Sequence, residues 1–318
     1  MDLIYTDING EDAGILHGYT LDEAYGDDEN DFELTLDTYI DLEGCRIYAL
    51  GTEYGGIVDS LETDSGDGSI VFRGRTWHGI LAKKVLCPDS GKDYLTVSGD
   101  VGDILAGLIA RMGLSDLFDP PETTGVTIEG YRFERYTDAY SGIRSMLRTV
   151  DMKLKTICAG AKIRLSAEPA KDYSMDEEWD SSQMRIRAKR ARRSVNHLIC
   201  LGSGNLAART VIHKYADAAG NISGTQTFFG VDEICEVYDY PNVESAEELD
   251  RSGIKELRER IGKNGVTDTD IDTEETYDVD DVVGMREHIT GMVVTRRISK
   301  KIVSIDDGCA TEEYKLGE

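Results

Sequence analysis

Residues 44–87 constrain this chain most. GCRIYALGTEYGGIVDSLETDSGDGSIVFRGRTWHGILAKKVLC changes its hydrophobic period part-way along. Two short apolar-rich runs, Arg46–Leu50 and Tyr54–Leu61, come first, then the turn-forming stretch Glu62–Gly68 and a third run, Ser69–Arg73. Short β-branched runs parted by Gly and Asp predict antiparallel strands joined by hairpins. From Thr76 the apolar residues fall at Trp77, Ile80, Leu81 and Val85, which is one face of a helix. The stretch therefore predicts a meander followed by a helix, with Gly74 at the joint and Cys87–Pro88 ending the helix, because Pro is poorly tolerated in a helix interior. A lone hairpin is marginally stable and needs a further layer, which this helix is expected to supply.

The remaining sequence extends the same style. Met1–Asp7 and Ile15–Tyr19 predict strands, and Thr20–Asn30, acidic and without a sustained period, predicts a loop. Asp31–Asp37 alternates Phe32, Leu34 and Leu36 against polar neighbours, as a half-buried strand does. Val101, Ile104, Leu105, Leu108 and Ile109 make a helical stripe with Gly113 as its C-cap. Asp138 caps a second helix, 139–150, ahead of a hairpin formed by 152–157 and 161–167. Strands are predicted over 195–201, 208–215 and 225–238, and a charged helix over 246–262. Two last strands, 289–297 and 299–306, are expected before a frayed end at 311–318. Gly is abundant, with 33 residues against five Pro, which suits many short strands with Gly-rich turns rather than a linker.

Charge and motif chemistry exclude more than they select. The net charge of −26 argues against duplex DNA held on a basic surface. It is compatible with a wall that nucleic acid slides past. No run of 18 apolar residues predicts a membrane span, and the opening MDLIYTDINGED has neither the basic nor the apolar region of a signal peptide. The six Cys form no CxxC pair, so disulfides are not expected. GSGN at 202–205 lacks the Lys and Ser/Thr of a P-loop and reads as a hairpin turn. DTDIDTEE at 268–275 spaces Asp like part of a calcium loop but lacks its turning Gly. None of the five His has a metal-ligand spacing, although His197 and His213 lie within predicted strands and could approach each other. No catalytic residue, cofactor or metal is expected. The one strongly basic run carries Arg185, Arg187, Lys189, Arg190, Arg192 and Arg193. It suits nucleic acid, a solvated strand, or an acidic surface on a neighbouring subunit. The acidic balance of the whole favours the last, because like-charged subunits need complementary patches to assemble.

The order of the pieces resembles the Gp37-like tail proteins of siphoviruses, related in design to phage baseplate hub and tail-associated proteins. The resemblance rests on NDFELTL at 30–36, YGGIVDSLE at 54–62, VFRGRTWHGILAKKVL at 71–86 and the helix at 101–112. It continues through NHLICLGSGNLAARTVIHKYADAAGNI at 196–222 and DVVGMREHITGMVVTRRISKKIVSIDDG at 281–308. It implies a mainly β fold with α+β elements and two barrel-like β domains of the phage tail hub type. Residues 1–95 would belong to the first, 96–180 to a helical and α+β insert, and 181–318 to the second, with a helix inserted at about 246–262. It also implies a structural hub at the tail tip or baseplate of a virion, made in the bacterial host cytoplasm. The implied assembly is a homotrimeric ring. It would join the distal tail or tube protein to fibre or spike proteins and let genomic DNA pass without specific binding. The competing functions are a peptidoglycan hydrolase of the tail tip and a receptor-binding module.

Overall fold

The structure is a computed structural model. It describes the chain except residues 122, 161, 175–177, 181–184, 190–193, 242, 244, 263–264, 273–275, 287–288, 290, 292 and 318. The fold is mainly β with a few short helices. It divides into two compact units. The larger comprises Met1–Arg185 and Asp270–Gly317, and the smaller Ile186–Thr269, so the larger takes in sequence from both sides of the smaller.

The larger unit is organised on an antiparallel sheet in which the strands over 46–76 follow the predicted meander, while the strand expected at 15–19 lies earlier, at Asp12–Ile15. In chain order they are β1 (Leu3–Thr6), β2 (Asp12–Ile15), β3 (Tyr19–Gly26), β4 (Asp31–Leu36), β5 (Arg46–Ala49), β6 (Gly55–Asp64) and β7 (Ser69–Thr76). Their spatial order is β3-β4-β7-β6-β5-β1-β2, and beyond β3 the sheet continues through Val293–Asp306 to Cys309–Leu316. β4 alternates buried Phe32, Leu34 and Leu36 with exposed Asp31 and Glu33, as the sequence predicts. β3 is a correction. Its stretch was expected to be a loop, but Tyr19–Gly26 pairs with β4 on one side and Val293–Asp306 on the other. The carboxylate of Glu23 lies on the buried side of this strand, which hides the alternation from a hydropathy reading.

Three helices, α1 (Trp77–Ala82), α2 (Val101–Arg111) and α3 (Ala139–Arg148), share one core with the hairpin Met152–Cys158/Ile163–Pro169. Trp77, Phe118, Phe133 and Tyr140 are buried in it. α1 is shorter than expected and stops at Ala82, and Val85–Leu86 pairs with Thr137–Asp138 instead. Gly74 lies inside β7. The joint is Thr76, whose hydroxyl accepts a hydrogen bond from the Gly79 N–H at 3.1 Å. At Gly79 a Cβ would stand 1.9 Å from the Asn30 carbonyl oxygen, so only glycine lets α1 pack on the β3–β4 turn. Asp100 and Asp138 cap α2 and α3 through their side chains, and Gly113 takes φ +69° at the end of α2.

Two expectations about the end of the chain fail together. Val293–Asp306 is one strand rather than two, because it runs on through the expected break at Ile298, which is buried and pairs with Leu316. Lys300 meets Asp28 and Glu29, and Lys301 meets Glu312 at 2.9 Å. Cys309–Leu316 is not frayed. It pairs along that strand and buries Tyr314.

The smaller unit holds a four-stranded sheet in the order Ile222–Ser223, Val211–Ala216, His197–Leu201, Cys235–Asp239, with α4 (Ala246–Gly262) packed on it. Cys235–Asp239 runs parallel to His197–Leu201, and the other pairs are antiparallel. This corrects the expected pair of barrel-like domains: four strands do not close a barrel, and among the described residues the strand order of the larger sheet is open at both ends. Gly253 is the point of closest approach, since a Cβ there would lie 2.5 Å from the Cys200 sulfur. That contact accounts for a glycine in mid-helix, where it would otherwise cost about 1 kcal/mol.

Candidate interaction surfaces

The basic run gives least to build on. Arg185, Arg187 and Lys189 fall in the strand Arg185–Lys189, while Arg190, Arg192 and Arg193 lie outside the described residues. DTDIDTEE does not form a loop over its described part, because Asp268, Asp270 and Asp272 belong to the strand Gly265–Asp272. GSGN does sit in the connection between two antiparallel strands, where Gly202 donates to Thr210 and Thr210 donates back to Ser203.

The charges that organise the larger unit are three aspartates not singled out by the sequence reading. They stand in YDVDD, at the turn before the strand Val282–Arg286. Asp280 accepts a two-pronged contact from Arg144 of α3, Nε to Oδ2 at 2.8 Å and Nη2 to Oδ1 at 3.0 Å. Arg148 adds a third hydrogen bond to Asp280 at 2.7 Å, and Arg144 also donates to Asp27 at 2.7 Å. From the strand Met152–Cys158, Lys153 donates to Asp278 at 2.6 Å and to Asp281 at 2.8 Å, and Lys155 donates to Asp278 at 2.7 Å. Burial alone would raise the Asp278 carboxyl, but the two lysines outweigh it and bring it down to about 2. Asp280 is likewise held below the usual carboxylate range against its burial, by Arg144 and Arg148. The turn thus bolts α3 and the strand Met152–Cys158 together. Its signal in sequence was only a run of acids, indistinguishable from a solvated loop.

Deeper in the same unit lie groups that do not ionise at neutral pH in the usual way. Burial raises the Glu23 carboxyl to about 8, although the Gly55 N–H donates to it at 2.9 Å. Burial, with Arg144, Lys155 and Lys301 nearby, lowers His78 to about 3. Its ring stacks on Tyr25 and reaches the Thr156 hydroxyl at 3.3 Å. Tyr54 and Tyr314 both donate to Glu312.

The outer side of this region is a concavity of about 950 Å³ formed by β3, β4, β7, α1 and the start of α3. Nine carboxylates line it, among them Asp27, Asp28, Glu33 and Asp59, against the three cations Arg73, Arg75 and Lys83. Arg73 and Arg75 are already engaged by Glu33, Glu62 and Asp59. The net field of the surface is therefore negative, and it suits repulsion of a polyanion or attraction of a basic partner.

Solved structures decide the architecture. The 43 kDa tail protein of prophage MuSo2 from Shewanella oneidensis superposes with a TM-score of 0.56 at 12% identity, covering 100% of this chain and 98% of that one. The tail protein from Neisseria meningitidis MC58 superposes with a TM-score of 0.50 at 14% identity, covering 100% and 96%. The chain has the fold of prophage tail proteins. No family model and no curated protein matches the sequence itself. The resemblance of the sequence to phage tail proteins thus has its counterpart in the fold, and the match runs end to end rather than over one module. Among the described residues no helix is long and apolar enough to cross a membrane.

Proposed function

We propose that the chain is a structural hub protein of the tail tip or baseplate of a tailed phage. Three copies close into a ring, joining the distal tail or tube protein on one side to fibre or spike proteins on the other, with genomic DNA passing through the bore. The observation that carries this reading is the whole-length likeness in fold to two prophage tail proteins. The acid excess supports it, since a channel wall of single sign keeps DNA from sticking. A cyclic assembly also gives the basic run a role. Arg185, Arg187, Lys189, Arg190, Arg192 and Arg193 meet an acidic surface on the neighbouring copy, and the concavity beside β3 and β4 is a surface of that kind.

The test is the mass of the purified chain by light scattering, with negative-stain images of the same sample. Trimers with a central opening are expected, weakened when Arg187 and Lys189 are both changed to Glu and when salt is raised. A strict monomer absent from phage particles would refute the hub. A cleared zone in a peptidoglycan zymogram with this chain alone would replace it by a hydrolase.

A further inference from the structure

The smaller unit contains a cluster of side chains that the tail assignment leaves unused. The parallel register sets Cys235 directly opposite His197, and Glu233 stands two residues before Cys235. One donor atom each from His197, Glu233 and Cys235 lies within 4.8 Å of the other two. His197 Nδ1 faces Glu233 Oε1 at 2.5 Å, and its Nε2 faces His213 Nδ1 at 2.8 Å.

The cluster is held in place from behind. Asn196, buried, donates from Nδ2 to the Asp232 carbonyl at 2.8 Å and accepts from the Ile234 N–H at 3.0 Å. Those two bonds grip the backbone on both sides of Glu233. The Asn196 and His197 N–H groups both donate to the Ile234 carbonyl, at 3.0 and 3.1 Å. Tyr215 stacks on the His197 ring with centroids 4.4 Å apart, fixing its plane. A buried imidazole, a half-exposed carboxylate and an exposed thiol meet at the surface, open on one side.

We propose that His197 Nδ1, Glu233 and Cys235 bind a divalent cation of the zinc class, with His213 as the positioning residue that fixes the His197 tautomer. A mixed nitrogen, oxygen and sulfur set selects zinc or a close analogue over magnesium or calcium. Tetrahedral bonds of about 2.0–2.3 Å hold donors roughly 3.3–3.8 Å apart, inside the span of this cluster. The Glu233 carboxylate moves back by about 1 Å from its present contact to admit the ion, and it is exposed enough to do so. The Cys235 thiol gives up its proton to solvent on binding. With Nδ1 on the metal, the His197 Nε2–H donates to His213, the outer hydrogen bond that metal-bound imidazoles commonly make. The ion would tie His197–Leu201 to the loop before Cys235–Asp239, in a unit whose described buried cluster is small: Leu198, Cys200, Ala216, Val243, Leu249 and Leu257. Small cores commonly rely on such staples.

Cobalt titration of the full chain tests this, because thiolate-bound Co²⁺ absorbs in the near ultraviolet and tetrahedral Co²⁺ absorbs strongly in the visible. One Co²⁺ per chain with both bands is expected, displaced by one Zn²⁺. Cys235→Ser, at an exposed position, is expected to fold as the parent does and to lose the near-ultraviolet band. Cys87→Ser and Cys309→Ser are expected to keep it. His213→Gln is expected to keep both bands and weaken affinity by about 10–100-fold. Absence of a thiolate band in the parent, or a band surviving Cys235→Ser, overturns the site. Unchanged affinity in His213→Gln overturns the positioning role. None of these outcomes depends on whether the chain forms a ring.

Discussion

The larger unit buries charge and the smaller one scarcely does. In the larger, Asp280 and Arg144 lie almost wholly out of water inside a framework of aromatic and aliphatic side chains. In the smaller, the ion pairs of Lys214, Arg209 and Arg260 each have a partner carboxylate open to solvent. Exposed pairs contribute little to stability, whereas a buried pair is costly to break because the survivor is left charged and unsolvated. Hydrophobic surplus therefore lets one unit use ions as bolts, while the other depends on a few side chains under α4.

That contrast can be broken in four ways. The largest effect is expected from Asp280→Ala, which strands Arg144 and should cost the larger unit about 3–5 kcal/mol in urea unfolding. A loss below about 1 kcal/mol would mean that water reaches the site and that the bolt is only a surface pair. Leu249→Ala comes next, at about 2–5 kcal/mol. Calorimetry should show it lowering a separate, earlier transition of the smaller unit while the larger is unmoved. A single merged transition would show that the two units unfold as one.

Acidity offers a third probe. Glu23 has a folded pKa of about 8, above its unfolded value near 4.5, so its contribution is full below 4.5 and is lost as pH rises towards 8. His78 has the opposite sign. Its folded value of about 3 is depressed from 6.5, so its contribution is present above 6.5 and is lost as pH falls towards 3. The two oppose each other between 4.5 and 6.5, which leaves 6.5 to 8 as the window where Glu23 shows. There stability should fall with pH by up to about 1.4 kcal/mol per unit, and Glu23→Gln should flatten the slope. A slope unchanged in that variant would put the titration elsewhere. The smallest effect is expected from Thr76→Ala. Loss of the cap on α1 should cost about 1 kcal/mol by denaturant midpoint. A cost near zero would mean that packing around Trp77 alone sets the helix start.

Sequence reading succeeded where side chains sort by polarity. β4, α2, α3 with its Asp138 cap, and α4 follow their patterns because most of their polar residues face water, buried Arg144 of α3 being an exception that the apolar stripe around it outweighs. It failed in places where a buried charge hides the pattern. Glu23 disguised β3 as a loop, and nothing in the sequence marked Asp280 and Asp281 as buried. The His197–Glu233–Cys235 grouping was half legible. An approach of His197 to His213 was open from the sequence and occurs, but Cys235 joins them through a parallel pairing that no local spacing announces.

The register that sets Gly26 beside Lys300 has a consequence for synthesis. At about 5–20 residues per second the ribosome needs roughly 14 to 55 s to deliver the partner of β3. Throughout that interval a nascent sheet has an open margin able to recruit the wrong strand. The stretch 186–269 emerges within the same interval as an uninterrupted segment and can fold during the delay. Like charge along Asp22–Glu33 opposes pairing of that unfinished margin with another nascent copy, until Lys300 arrives to pair with Asp28 and Glu29.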